Sequence, residues 1–351
     1  MKFKKILTSM TQALLLSLGL LISLSMGLAI GYVGGLVKDQ PVLTQKEMKE
    51  QINNISKNSE VYFGSGEKLG TINSELIRKT VSYENLGDNV KNAIIASEDS
   101  NFYSNSGINI FAILRATHSE ATGARTSGGS TITQQLVKNQ LLDNSRSYER
   151  KAKEILLALR VDSHFSKNEI LENYLNVAPF GKNSLGQNIS GIETAAQGVF
   201  GVHSKDLNVA QAAYLIGFVQ SPYKYTPFDA AGNVRPDEEL QAGLDRQKYV
   251  LERMVANDFI TKEQMEEAKQ FDIKGAFTKQ KYSEYTDYPY IRDEVTSSVA
   301  EILAEQTATR NNRQEDFKTN SDYRNELIEK SRIKFITGGY KVKTTLDKKL
   351  Y

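Results

Sequence analysis

The 351-residue chain carries 44 Lys and Arg against 42 Asp and Glu, a formal net charge of +2, and no cysteine. That balance gives nucleic acid no bulk attraction, and the missing thiols exclude a disulfide framework and any cysteine-held zinc. The three histidines, His118, His164 and His203, stand far apart and at no metal-ligand spacing.

The first element is a lysine-rich start, "MKFKK", followed by an uncharged run from Ile6 to Val37. As a helix that run is about 48 Å long, against a hydrocarbon core of roughly 30 Å. It is too long for a secretory signal and no A-x-A site follows it. It reads as a single-pass anchor over residues 1–38, with the lysines inside and the body of the protein outside. Residues 39–80 read as a juxtamembrane segment, polar to about Ser59 and then a glycine-turned hairpin in "VYFGSGEKLGTI".

Helical patterns follow. "GDNVKNAIIASED" puts Val90, Ile94 and Ile95 on one face. "INIFAILRA" is apolar and leads into "SEATGARTSGGS", Ser119 to Ser130, whose small polar residues predict mobility. That pair reads either as a core helix with a loop or as a lobe resting on the membrane. "TITQQLVKNQLL" opens on a capping box, Thr131 to Gln134. "SYERKAKEILLALRVD" predicts an amphipathic helix with Ile155, Leu156 and Leu159 inward, and "SKNEILENYLN" a second capping box, Ser166 to Glu169, with Ile170, Leu171, Tyr174 and Leu175 buried. Further helices are expected from Asn208 and from Thr261. There is no internal repeat, and the external body is expected to be mainly α.

Two groups of side chains carry chemistry. Glu98 and Asp99 end an apolar helix; such a pair is either a solvated cap or, beside buried residues, a proton acceptor. The stretch "TSGGSTITQQLVKNQLL" brings glycines and a helix start at Ser130 and Thr131, where free N–H groups suit an anion. Lys138, Arg146, Arg150, Lys151 and Lys153 then follow closely. Cations converging on a cleft suit a diphosphate, while the alternative is a pair of basic, solvated helix faces. Glu154 is either an ion-pair partner of Arg150 and Lys151 on the same helix or a second acid in the cleft.

"EDSNFYSNSG", "GGSTITQQLVKN", "ERKAKE" and "KNEILENYLNVAPFG", in this order, resemble the motifs of the peptidoglycan glycosyltransferases, family 51, as do "AAQGVFG" and "AYLIGFVQSPYKYTPF". The resemblance implies a lysozyme-like, mainly α glycosyltransferase domain with head and jaw lobes behind the N-terminal transmembrane helix. It implies polymerisation of lipid II into β-1,4 glycan by inverting transfer, with release of undecaprenyl diphosphate. By motif, Glu98 matches the general base, Lys138 and Arg146 the diphosphate-holding positions, and Glu154 the second acid. Ser130, Gln135 and Asn139 match positions lining the donor site, and Phe102 lies beside the base. Arg150 and Lys151 join them as substrate-binding cations. The resemblance leaves room for a divalent cation, Mg2+ or Mn2+, near Glu154 with the donor diphosphate. Its partners are lipid II, the growing strand, membrane lipid and wall-synthesis proteins, at the cell membrane with the catalytic domain outside. The chain departs from the family pattern at Asn105, Val199 and Gln211, where histidine, an aromatic residue and glutamate are frequent.

The expected layout beyond residue 80 is a glycosyltransferase domain over 81–255, its helical tail over 256–335, and over 336–351 the start of a linker toward a transpeptidase domain of a bifunctional class A penicillin-binding protein. Three stretches, "SGEK", "SPYK" and "SRIK", match the S-x-x-K of a transpeptidase, but no K-T-G accompanies them. Two other functions compete: a lysozyme-like muramidase with Glu98 as general acid, and an inactive wall-binding scaffold. A neutral sugar leaving group gives Lys138 and Arg146 nothing to hold, which weighs against the first.

Overall fold

The structure is a computed structural model that describes residues 43–53, 59–72, 76–112, 115, 129–142, 147–279 and 289–348, with scattered positions before residue 43. The anchor expected over 1–38 lies largely outside the described residues, as does most of the Ser119–Ser130 loop. Among the described residues no helix is long and apolar enough to cross a membrane.

Two hydrophobic cores and a small third cluster organise the described residues. The larger begins with α1 (Gln45–Asn53), whose Met48 and Ile52 are buried in it. Leu43 accepts a 2.8 Å bond from Arg160, and Lys49 sits 5.5 Å over the Phe165 ring. Residues 43–53 of the polar segment are thus a docked helix and its lead-in. α2 (Asp88–Glu98) buries Val90, Ile94 and Ile95. α3 (Ile132–Gln140) starts at the Thr131–Gln134 capping box and α5 (Lys167–Val177) at the Ser166–Glu169 box. α6 (Ile192–Phe200) and α7 (Val209–Phe218) follow, and every residue of α7 from Ala210 onward is buried. α8 (Pro222–Tyr225) leads to α9 (Asp237–Ala256), which packs on α2 and α7, and α10 (Lys262–Gln270) closes this body. Phe200, Tyr214, Phe218, Phe228 and Phe277 stack at its centre, with neighbouring ring centroids 5.0–6.2 Å apart.

α4 (Tyr148–His164) corrects one expectation. It buries Ala152, Glu154, Ala158 and Val161, while Leu156 and Leu159 are each 37% exposed. The cause is steric. Gly107, at φ +86°, runs so close that a Cβ there would sit 2.6 Å from the Ala158 carbonyl oxygen. Only the small-residue face can meet that chain.

The smaller core combines both ends of the chain. β1 (Ser59–Tyr62) pairs antiparallel with β2 (Lys68–Ile72) and parallel with β6 (Lys341–Lys343). Val61, Phe63, Leu69 and Ile72 pack with Phe335 of α13 (Ser321–Thr337) and with Val295, Val299 and Leu303 of α11 (Pro289–Arg310). α12 (Gln314–Thr319) adds Phe317 to a cluster with Ala304 and Ala308. β3 (Leu76–Arg78) belongs elsewhere: it joins β5 (Asn188–Ser190) and β4 (Pro179–Lys182) on the larger body. The cores thus cut across the chain-order segments 39–80, 256–335 and 336–351. The first contributes to both bodies, and β6 returns to the sheet that β1 begins.

Candidate active site

Glu98 is the last residue of α2, and its carboxylate is held from two sides. Oε2 accepts from Nε2 of Gln135 at 3.0 Å, and Oε1 accepts from Nη2 of Arg246 at 3.0 Å. Gln135 is oriented in turn, since its Oε1 accepts from the Tyr174 hydroxyl at 2.8 Å. Burial, and then the charge of Glu98, push the Tyr174 phenol well above its usual range, so it remains a neutral donor. Four helices, α2, α3, α5 and α9, therefore converge on one carboxyl group. The Glu98 side chain is 15% exposed, which leaves it within reach of a reactant. Each of its oxygens keeps a lone pair beyond the one its donor uses.

Asp99 serves a different purpose. Its buried carboxylate accepts from the Ile132 N–H at 3.1 Å, at the start of α3, and from Nδ2 of Asn105 at 2.9 and 3.0 Å. Burial raises its pKa, against the opposing pull of Ile132 and Asn105. Asn105 also accepts from the Gly107 N–H at 2.9 Å and from Lys167 at 3.2 Å. The residue that departs from the family pattern is the hub that fastens this loop. Gln211 forms a capping box with Asn208 at the start of α7, and Val199 is fully buried.

A cavity of about 360 Å³ opens beside Glu98, with Asp99, Asn109, Arg115, Ser130, Tyr249 and Arg253 in its walls. Ser130 accepts a 3.0 Å bond from Nζ of Lys151. The same ammonium pairs with Glu154, which also accepts from Nε2 of Gln134 at 3.2 Å. Glu154 is 3% exposed. It is an ion-pair partner, of Lys151, packed between α3 and α4. Lys138 and Asn139 follow Gln135 by three and four residues on α3 and share its face. Both are exposed, and Lys138 makes no hydrogen bond or ion pair among the described residues. Arg150 is half-buried in the first turn of α4. Arg146 lies outside the described residues.

Phe102 belongs to the larger core. Its ring is fully buried, edge-on to Tyr103 at 5.2 Å and covered by the Lys167 ammonium at 5.0 Å. The turn after α2 folds it under the helix into the core, so it does not line the cavity.

The residues near Glu154 do not fit a protein-held Mg2+ or Mn2+, which needs a shell of several oxygens. Glu154 is one buried carboxylate already bonded to an ammonium and an amide. Among the described residues no group of three or more His, Cys, Asp or Glu converges.

Sequence reasoning did not single out Arg246, Tyr249, Arg253 or Arg115. The first three stand at i, i+3 and i+7 on α9, one helical face, and that spacing was the available signal.

Residues 65–255 match the family described as Transglycosylase. Among curated proteins, a penicillin-binding protein 1A of Aquifex aeolicus is 40% identical over 242 residues, covering 69% of this chain and 31% of that protein. Penicillin-binding protein 2a of Streptococcus pneumoniae is 34% identical over 77% of this chain and 34% of its own length. Penicillin-binding protein 1A/1B of Bacillus subtilis is 32% identical over 91% of this chain and 31% of its own. The chain thus spans about a third of the length of these relatives. A solved structure of penicillin-binding protein 1A from Haemophilus influenzae aligns with 84% of this chain and 27% of that one, at 19% identity and a TM-score of 0.36, too low to add to the fold.

Proposed function

The chain belongs to the transglycosylase family, and from that membership and the orientation of Glu98 we propose that it is a peptidoglycan glycosyltransferase that polymerises lipid II. The carrying observation is a carboxylate clamped by Gln135 and Arg246 at the edge of a polar cavity, with the cationic side chains Lys138 and Lys151 on the adjoining helices.

In this reading the growing strand is the donor and the incoming lipid II the acceptor. Glu98 takes the proton of the acceptor sugar's 4-hydroxyl as that oxygen bonds to the donor's anomeric carbon. The bond from that carbon to the diphosphate breaks on the opposite face, which inverts the α linkage to β. The leaving group departs as undecaprenyl diphosphate, an anion, so it needs cations and not a protonated acid. Lys138, without a partner among the described residues, supplies one ammonium, and Lys151, paired with Glu154 and bonded to Ser130, a second, with Arg146 and Arg150 assigned to the same anion. Glu154 acts on the donor site indirectly, by holding Lys151. A divalent cation would be carried by the diphosphate's own oxygens.

We place the protein at the cell membrane, anchored through residues 1–38 with a lysozyme-like catalytic body outside. The uncharged run Ile6–Val37 supports this, as do Leu15, Leu16, Leu20 and Leu24, all exposed at helical positions. The body over 81–255 holds the polymerase, the helices over 256–335 are its tail, and the strand near 341 starts the linker toward a transpeptidase.

The test is a gel assay of detergent-solubilised protein with labelled lipid II, beside Glu98→Gln. Glycan ladders that disappear in the variant are expected. Shortening of preformed strands without new polymer would assign the protein to the hydrolases. Near wild-type polymerisation by Glu98→Gln would remove Glu98 from the role of base.

A further inference from the structure

We propose that Arg246 is a positioning residue for the reaction, holding the Glu98 carboxylate in the direction from which it takes the acceptor's proton. This rests on the reading of Glu98 as the base. The bond runs from Nη2 to Oε1 at 3.0 Å between residues 148 apart in the chain. It is a sheltered pair, with side chains 12% and 15% exposed.

The guanidinium is itself fixed. Its carbon lies 4.4 Å from the centroid of the Tyr249 ring. The aliphatic stem of the side chain passes Gly217 of α7, where a Cβ would stand 3.0 Å from Arg246 Cγ. α9 is also registered against its neighbours at two further points: Nε2 of Gln247 donates to the Ala210 carbonyl at 2.8 Å, and Nε of Arg253 donates to the Ala96 carbonyl at 3.2 Å, two residues before Glu98. The helix that carries the arginine is thus locked to the helix that ends in the base.

Two observations separate positioning from substrate binding and from plain packing. The cavity is walled by Tyr249 and Arg253 but not by Arg246, whose donor is aimed at Glu98. In addition, Arg246 Nε is buried with no hydrogen-bond partner among the described residues. An orphaned buried donor is a cost a purely structural arginine would avoid, and such costs gather at functional sites. A carboxylate with freedom to rotate would lose attack geometry, and a misplacement of 1 Å costs about 10²-fold in rate.

The experiment compares Arg246→Met and Arg246→Lys with wild type in steady-state polymerisation of lipid II, alongside lipid II binding and thermal melting. Arg246→Met should lower kcat about 10²-fold while KM and the lipid II Kd stay within about twofold. Arg246→Lys, which keeps a charged donor, should recover about tenfold of that loss. A raised KM with kcat intact would make Arg246 a substrate ligand and overturn the proposal. Full activity in both variants, or no recovery in Arg246→Lys at an unchanged melting temperature, would do the same. Should Arg246→Met fail to fold, the kcat of Arg246→Lys decides: reduced at constant KM it supports positioning, unchanged it overturns it. A wild-type protein that makes no polymer, or an active Glu98→Gln, would instead overturn the functional reading beneath it.

Discussion

Glu154 shows how little a side chain's identity says before its surroundings are known. Its i−3 and i−4 neighbours allowed an ion pair or an open second acid. In the fold its carboxylate is 3% exposed and pairs with Lys151, the kind of counter-charge such burial calls for. Lys151→Met should therefore cost about 1–3 kcal/mol in urea unfolding, by leaving a buried acceptor without its charged donor; Lys151→Arg should cost less. Glu193 carries the clearest pH dependence. Burial pushes its pKa up, but the hydroxyl and N–H of Ser204, with His203 and Gln197, outweigh that and leave it below the ordinary 4.5. A depressed carboxylate pKa means stability that is present above about pH 4.5 and lost as pH falls toward the folded value. Melting of the wild type should fall over that window, and Glu193→Gln should flatten the slope.

Among the elements, helix starts were readable and helix rotations were not. The capping boxes at Thr131 and Ser166 are local chemistry, a hydroxyl and an amide or acid three residues on, so they appear in the sequence as they do in the fold. Thr131 also donates to the Gly107 carbonyl at 2.6 Å, which ties α3 to the loop after α2. Thr131→Ala should then destabilise the protein by about 1–2 kcal/mol, a cap loss measurable by chemical denaturation. The face that α4 buries was beyond reach of its own pattern. Leu156 and Leu159 are more apolar than Ala158, yet the chain at Gly107 approaches too closely for a leucine. Gly107→Ala should be worse than the cap loss, since a positive φ and a 2.6 Å approach to Ala158 combine.

For the whole molecule, the two cores predict two unfolding steps. The smaller core depends on Phe335, fully buried beneath β1, and on Ser59, whose hydroxyl donates to the Phe335 carbonyl and accepts from the Tyr340 N–H at 2.8 Å. Phe335→Ala should remove about 3–5 kcal/mol from that unit. Calorimetry should show one transition lowered and the other, from the body containing Glu98, unmoved. A single transition shifting as a whole would mean that the two cores unfold together.

What the sequence by itself determined is what lies in short windows: the helical character of the body and the capped starts of α3 and α5. Those follow from spacing and local hydrogen bonding, which need no distant partner. Only the tertiary structure decided what comes from far along the chain. It brought Arg246 to Glu98 across 148 residues, turned Tyr174 from a core residue into the donor that orients Gln135, placed Phe102 inside the core, and joined β6 to β1. The physical reason is common to all four. A side chain's role depends on which groups share its volume once water is excluded, and sequence spacing carries that information only over the reach of a helical turn.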